Sequence, residues 1–178
     1  HYFPWNGATA DVNDYSKGTE VVSYLALKPG SGTMGNLHYE GGVMKNGTSN
    51  LYLKGEVVEY KFKEPFETVP LVFVTPISTN KTFPCEARVW DVTKEGFKVV
   101  LTRQKGKESQ TMVQRRATYL AIEKGTTQLE NKVVIVNDTP MTFTSTNAKA
   151  INYGGWSLDN PYFLCQLQTY DRKVTSQL

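Results

Sequence analysis

"ATYLAIEKG" (117–125) has an earlier twin in "VVSYLALKPG" (21–30). Tyr24, Leu25, Ala26 and Gly30 match Tyr119, Leu120, Ala121 and Gly125, and Leu27 stands against Ile122. The spacing is constant, 119 − 24 = 95 residues. A strand-like phrase repeated at this distance has too long a period for most solenoids and suits tandem β-domains.

The repeat reaches further than one phrase. "PFETVPLVFVTPIST" (65–79) has a partner in "GWSLDNPYFLCQLQT" (155–169), where Pro70 matches Pro161 and Val72 matches Phe163, an offset of 161 − 70 = 91. The order of the copies divides the chain. Residues 31–125 hold one complete unit, from a first strand near "LHYEGGVM" (37–44) to "YLAIEKG" (119–125). Residues 126–178 read as the opening part of another unit, and residues 1–30 as the closing part of one.

Within the complete unit the hydrophobic period is two. Val58, Tyr60 and Phe62 alternate with charged residues, and Phe97, Val99 and Leu101 share one face of "GFKVVLT" (96–102). Such alternation marks strands with one buried side. "PLVFVTPI" (70–77) and "KVVIVN" (132–137) are short apolar runs, read as strands covered on both sides. Pro-Gly, Asn-Gly, Gly-Gly and Asp-Asn-Pro punctuate at intervals of roughly ten residues, as in a sandwich or barrel. The nearest approach to a helical pattern, 107–116, lacks an apolar stripe. The fold class is all-β, an antiparallel β-sandwich.

Composition agrees and removes several classes of function. The chain has 178 residues, enough for one large or two small domains, each able to bury a core. A net charge of +3, with locally basic stretches at 103–109 and 114–116 and no nucleic-acid motif, reads as solvated turns and strand faces rather than a nucleic-acid surface. No apolar run reaches the length of a membrane-spanning helix. The first residue is His1 rather than Met, as in a processed product or an excerpt.

Three sequons stand at Asn46, Asn80 and Asn137, a number near chance in a chain rich in Asn and Thr; they incline the reading towards a secreted glycoprotein. Cys85 and Cys165 are the two cysteines, either one disulfide outside the cell or two buried thiols within it.

The complete unit resembles the H-type lectin domain, the fold of snail agglutinins and the discoidin C-terminal domain. The matching residues run "VVEYKFKEPFETVPLVFVTPIS…EARVWDVTKEGFKVVLTRQ…MVQRRATYLAIE" (57–123). They comprise an alternating strand ending at Pro65-Phe66, Pro70 before an apolar strand, Arg88 in the next, then Gly96-Phe97 and a closing strand from Tyr119 to Ile122. Similar repeats occur in large secreted and surface proteins. The resemblance implies a six-stranded antiparallel sandwich and often trimeric assembly. Independently of it, Gly96 after "TKE" can take the left-handed conformation that a hairpin turn often needs, and Pro65 and Pro70 bracket a loop where a ladder amide can be spared.

The resemblance also implies where a sugar would sit, and the residues there have changed. The family's pocket Arg falls near Pro84, Arg88 matches a second Arg, and the family's Trp-His pair falls on Arg103-Gln104. Arg103 and Gln104 remain able to donate hydrogen bonds to a glycan or a carboxylate. Trp5 in "HYFPWNG" (1–7) and Trp156 in "YGGWS" (153–157) are the candidate ring platforms, with strand-end packing or an interface as the plainer reading. His1 could chelate copper through its amine and ring with His38 as a second ligand, but no metal is expected. Neither a catalytic motif nor a phosphate loop is present, and Glu64 and Glu67 read as solvated charges in a turn, so no enzyme activity and no cofactor are expected.

The expected protein is thus an extracellular or cell-surface module, structural or adhesive, with a diverged glycan-binding lectin as the alternative. Its expected partners are itself, as a homo-oligomer or filament, or neighbouring repeats of a larger protein, and then cell-surface glycans. Two partial units at 126–178 and 1–30 can complete a second sandwich within the chain or head to tail between chains, which caps open sheet edges. About ten residues, equivalent to "EARVWDVTKE", would be missing from that composite.

Overall fold

The computed structural model describes residues 25–77, 85–103, 115–130 and 132–138, with Arg103 described by its backbone. Among these residues there is no helix, and the strands are β1 (Gly30–Met34), β2 (Leu37–Val43), β3 (Lys45–Asn46), β4 (Ser49–Asn50), β5 (Tyr52–Leu53), β6 (Val58–Lys61), β7 (Leu71–Ile77), β8 (Cys85–Trp90), β9 (Gly96–Arg103), β10 (Arg115–Ile122), β11 (Gly125–Leu129) and β12 (Lys132–Val136).

β10, the strand of "ATYLAIEKG", is central to one sheet. Its Arg116–Ile122 pair with β7 along one edge. Its Thr118–Ile122 pair with β2 along the other, where Arg115 and Arg116 go on to meet β5. β1 extends this sheet beyond β2. The facing sheet runs β6-β9-β8, and every ladder is antiparallel. Six strands, β2, β10 and β7 facing β6, β9 and β8, therefore make the expected sandwich, with β1, β5 and a small β3–β4 hairpin added.

The period-two reading explains the core. Val72 and Val74 of β7 with Ala117, Tyr119 and Ala121 of β10 meet Ala87 and Val89 of β8 and Phe97, Val99 and Leu101 of β9. Rings knit the sheets together, Tyr60 lying 4.9 Å and Phe97 6.2 Å from Tyr119, between ring centres. These contacts add about 0.5–1.5 kcal/mol per pair beyond area burial. β9 departs from the one-sided pattern, since Val100 on its other face is buried as well.

Gly96 corrects one expectation. Its φ is not positive; the left-handed residue of the β8–β9 connection is Asp91, at φ 49°. Glycine is required at 96 because a Cβ there would lie 2.1 Å from the Tyr60 carbonyl oxygen on the neighbouring strand. Thr93 organises the turn instead: its Oγ1 accepts from the amides of Glu95 and Gly96, and its own amide donates to the Gly96 carbonyl. Pro65 and Pro70 do stand between β6 and β7, outside the ladders.

"PLVFVTPI" is covered on both sides, as read. Leu71 and Phe73 point away from the sandwich interior, as do Leu120 and Ile122 of β10 and Met34, Leu37 and Tyr39 of β1 and β2. This outer face is closed by Leu27 and by Leu129, Val134 and Val136 of the β11–β12 hairpin.

Candidate functional site

The end of the three-stranded sheet is where the sugar-pocket residues converge in sequence. Cys85, the first residue of β8, pairs with Arg103, the last of β9. Arg88 lies half-buried three residues further along β8 and is held by Glu86, with contacts of 2.6 and 2.9 Å from its guanidinium to one carboxylate oxygen. Its fork is thus engaged along its own strand rather than presented to a ligand. The Arg103 side chain, Gln104, Pro84, Trp5 and Trp156 lie outside the described residues, so their convergence on a pocket is an expectation only.

Cys85 is half-buried, and Cys165 lies outside the described residues. Asn46 is exposed in the tight β3–β4 hairpin, beside Gly47 at φ 59°. Asn137 is also exposed, its side-chain oxygen accepting from the Asp138 amide at 2.9 Å. Asn80 and His1 lie outside the described residues.

His38 is half-buried on β2. Its ring packs against Phe66 at 4.9 Å between centroids, and its amide donates to Glu123 at 3.1 Å. With Asn36, Pro65, Glu67 and Glu123 it lines a shallow, polar, open cleft of about 330 Å³. Among the described residues no three His, Cys, Asp or Glu side chains are grouped to hold a metal ion. Glu64 and Glu67 are exposed, as read from the sequence.

A buried carboxylate lies deeper, and the sequence reading had not singled it out. Glu40, 1 % exposed, accepts from the Tyr119 hydroxyl and from the Lys63 amide at 3.0 Å. Burial first, then the hydrogen bond to Glu40 and the neighbouring Tyr60, push the Tyr119 hydroxyl far above its ordinary range. It therefore stays protonated and donating. The pair ties β2 to β10 and the β6–β7 loop, inside the sandwich rather than facing a ligand. The available signal was register: in "LHYEGG" Glu40 falls on the same strand face as His38, opposite to Leu37 and Tyr39.

The outer apolar face is the most developed surface feature. The β11–β12 hairpin lying on it has the design of β1–β2. Gly30 to Met34 pair with Gly41 back to Leu37, and Gly125 to Leu129 pair with Val136 back to Lys132. Each position is displaced by 125 − 30 = 95 residues, the spacing of the repeated phrase. Backbone conformation repeats too: φ is 118° at Gly30 and 156° at Gly125, then 61° at Gly35 and 54° at Glu130. The two hairpins touch. The Asn36 amide donates to Thr127 Oγ1 at 3.3 Å, and a Cβ on Gly35 would lie 1.9 Å from that oxygen.

Comparison with known proteins agrees with this architecture. Residues 57–122 match the H-type lectin domain family, from just before β6 to the end of β10. No curated protein and no solved structure matched the chain. The matched span contains β6 to β10, five of the six strands of the sandwich, and on this evidence the chain carries an H-type lectin-like domain.

Proposed function

We propose that this chain is an extracellular structural or adhesive module that works by protein–protein assembly of lectin-like units. One observation carries the reading: the outer face of the β1-β2-β10-β7 sheet is apolar and is covered by a hairpin that repeats β1–β2 in register 95 residues on. Here burial of Leu71, Phe73, Leu120 and Ile122 under the next hairpin links one unit to the following one. Each such side chain removed from water contributes about 1.5–3 kcal/mol. The complete unit is taken as 31–125, with 126–178 and 1–30 as parts of others.

The test is native mass by sedimentation over a wide protein concentration range. Concentration-dependent growth beyond the monomer is expected. A monomer at every concentration would overturn assembly of this chain with itself.

A second reading rests on the family match. H-type lectin domains are binding modules rather than enzymes, and the matched span includes β8 and β9, at whose ends the divergent pocket residues Arg103 and Gln104 follow. In this reading the chain is a glycan binder with a changed pocket. A glycan array checks it: saturable binding lost in Arg103→Ala or Trp156→Ala supports it, and an empty array removes it.

A further inference from the structure

We propose that the outer edge of β12 takes up residues 25–27 of a second copy of this chain as an antiparallel strand, with Leu25 opposite Val136, Ala26 opposite Ile135 and Leu27 opposite Val134. This rests on the assembly reading above and names the surfaces that would meet.

Three observations lead to it. First, β12 has a ladder on one side only among the described residues, with β11, although its run "KVVIV" is half-buried along four of five positions. An apolar strand with unpaired amides and carbonyls on one edge is a template for another strand. Second, β2 occupies the matching position in the complete unit and is paired on both sides, by β1 and by β10. Third, the described end of the twin of β10, residues 25–27, is in no strand among the described residues: Leu25 is 46 % exposed and Ala26 is exposed, whereas Leu120 is half-buried and Ala121 fully buried.

The register follows from the β10–β2 ladder, which pairs Leu120 with Gly41, Ala121 with Glu40 and Ile122 with Tyr39. Moving β10 back and β2 forward by the repeat spacing yields the three proposed pairs. The counterpart of Leu27, Ile122, both pairs with Tyr39 and packs on the outer face, and Leu27 already packs on that face in its own chain. One difference locates the best probe. A Cβ on Gly41 would lie 2.9 Å from the Tyr119 carbonyl oxygen, so β2 and β10 are pinched there. Val136 fills that position in β12, which requires ordinary ladder spacing at Leu25. The Ala26–Ile135 pair stands one residue away from the pinch.

The contact joins different surfaces of the two copies, so it is heterologous and propagates into a filament or closes into a ring. The experiment uses the 178-residue chain with Cys85→Ser and Cys165→Ser throughout. A chain bearing Ala26→Cys is mixed with a size-tagged chain bearing Ile135→Cys and mildly oxidised. A mixed disulfide dimer is expected, at about tenfold the yield of an off-register mixture of Ala26→Cys with Val133→Cys, because disulfide geometry tolerates little displacement. The chain carrying both Ala26→Cys and Ile135→Cys is expected to form a ladder of covalent multimers. Equal yields on and off register, or an internal bond closing the double variant as a monomer, would overturn the pairing. If these failures come with concentration-dependent mass in the parent chain, the edge is wrong and the assembly reading stands; with a monomeric parent, both fall.

Discussion

The two copies of "YLA" make a natural experiment in context. In 117–125 the phrase is a central strand: Ala121 faces Val72 and the sandwich core, and Leu120 faces the outer apolar layer. In 21–30 the described residues 25–29 precede β1 and are in no strand among the described residues, and Leu25 and Ala26 face solvent. Nearly identical residues thus reach opposite degrees of burial. Local propensity sets the capacity to be a strand, and neighbouring strands decide whether it is used.

The largest effect that would sharpen this contrast comes from a charge at equivalent positions. Ala121→Asp places a carboxylate where exposure is 0 %, with no partner to receive it. Loss of more than about 4 kcal/mol is expected, enough to unfold or aggregate a domain of ordinary stability. Ala26→Asp is expected to leave the thermal transition of the dilute chain in place and to abolish concentration-dependent assembly. Calorimetry with sedimentation checks both. Equal destabilisation by the two would mean that residue 26 is already buried and would break the comparison.

Next in size is the contact between the hairpins. Gly35 combines a left-handed φ of 61° with no room for a Cβ, because Thr127 lies against it. Gly35→Ala should cost about 1–2 kcal/mol in conformation and a further 1–3 kcal/mol by displacing β11. Urea unfolding measures the sum. The double variant Gly35→Ala with Thr127→Ser, which keeps the hydroxyl, is expected to recover little. A nearly neutral Gly35→Ala would show that the second hairpin yields freely.

The buried polar pair belongs to the complete unit only, since the position matching Glu40 in β12 is Ile135. Tyr119→Phe leaves the Glu40 carboxylate with the Lys63 amide and one partner fewer, at a cost of about 1–3 kcal/mol. The pH dependence has a definite sign. The folded state holds the Tyr119 hydroxyl above its ordinary range, while an unfolded tyrosine titrates near about 10. The stabilisation is therefore complete below that pH and is lost as pH rises above it. Denaturation curves from pH 8 to 11 should steepen in the parent and flatten in Tyr119→Phe. An identical alkaline loss in both would place its origin elsewhere.

Much of this fold was legible because a sandwich writes its core into a period of two. Val58, Tyr60, Phe97, Val99 and Leu101 fall on the inward side as their spacing requires. The role of Gly96 is misread from sequence because a positive φ and a close approach both favour glycine, and only the position of Tyr60 across the ladder distinguishes them. Glu40 was passed over for a related reason: one acidic residue in an inward register looks like noise until the Tyr119 hydroxyl is placed beside it. The repeat was the opposite case. It announced itself at Tyr24 and Tyr119, and its structural counterpart is the shared register of two hairpins, in positions such as Met34 and Leu129 that similarity of residue type barely marks. The candidate sugar-binding residues carry no such redundancy. For Arg103, Gln104 and Trp156 the expectation of a shared pocket depends on where their side chains lie, which spacing does not encode.

The smallest expected effect concerns the two hairpin tips, where one backbone conformation is occupied by different residues. Gly35 and Glu130 have φ values of 61° and 54°, but only Gly35 has a neighbouring strand pressed against its missing Cβ. Glu130 is exposed, and its carbonyl is held by the Gln128 side chain at 3.2 Å. The demand for glycine at 35 is therefore steric as well as conformational, whereas at 130 a glutamate occupies the same left-handed conformation. Glu130→Gly should relieve about 1 kcal/mol of left-handed strain and lose about 0.5–1 kcal/mol to the freedom of glycine in the unfolded chain. The net change is expected within about 0.5 kcal/mol of zero, as a slight shift in urea midpoint at constant slope. A loss well beyond that would mean that the Glu130 side chain has a partner of its own, and that the second tip, like the first, is covered.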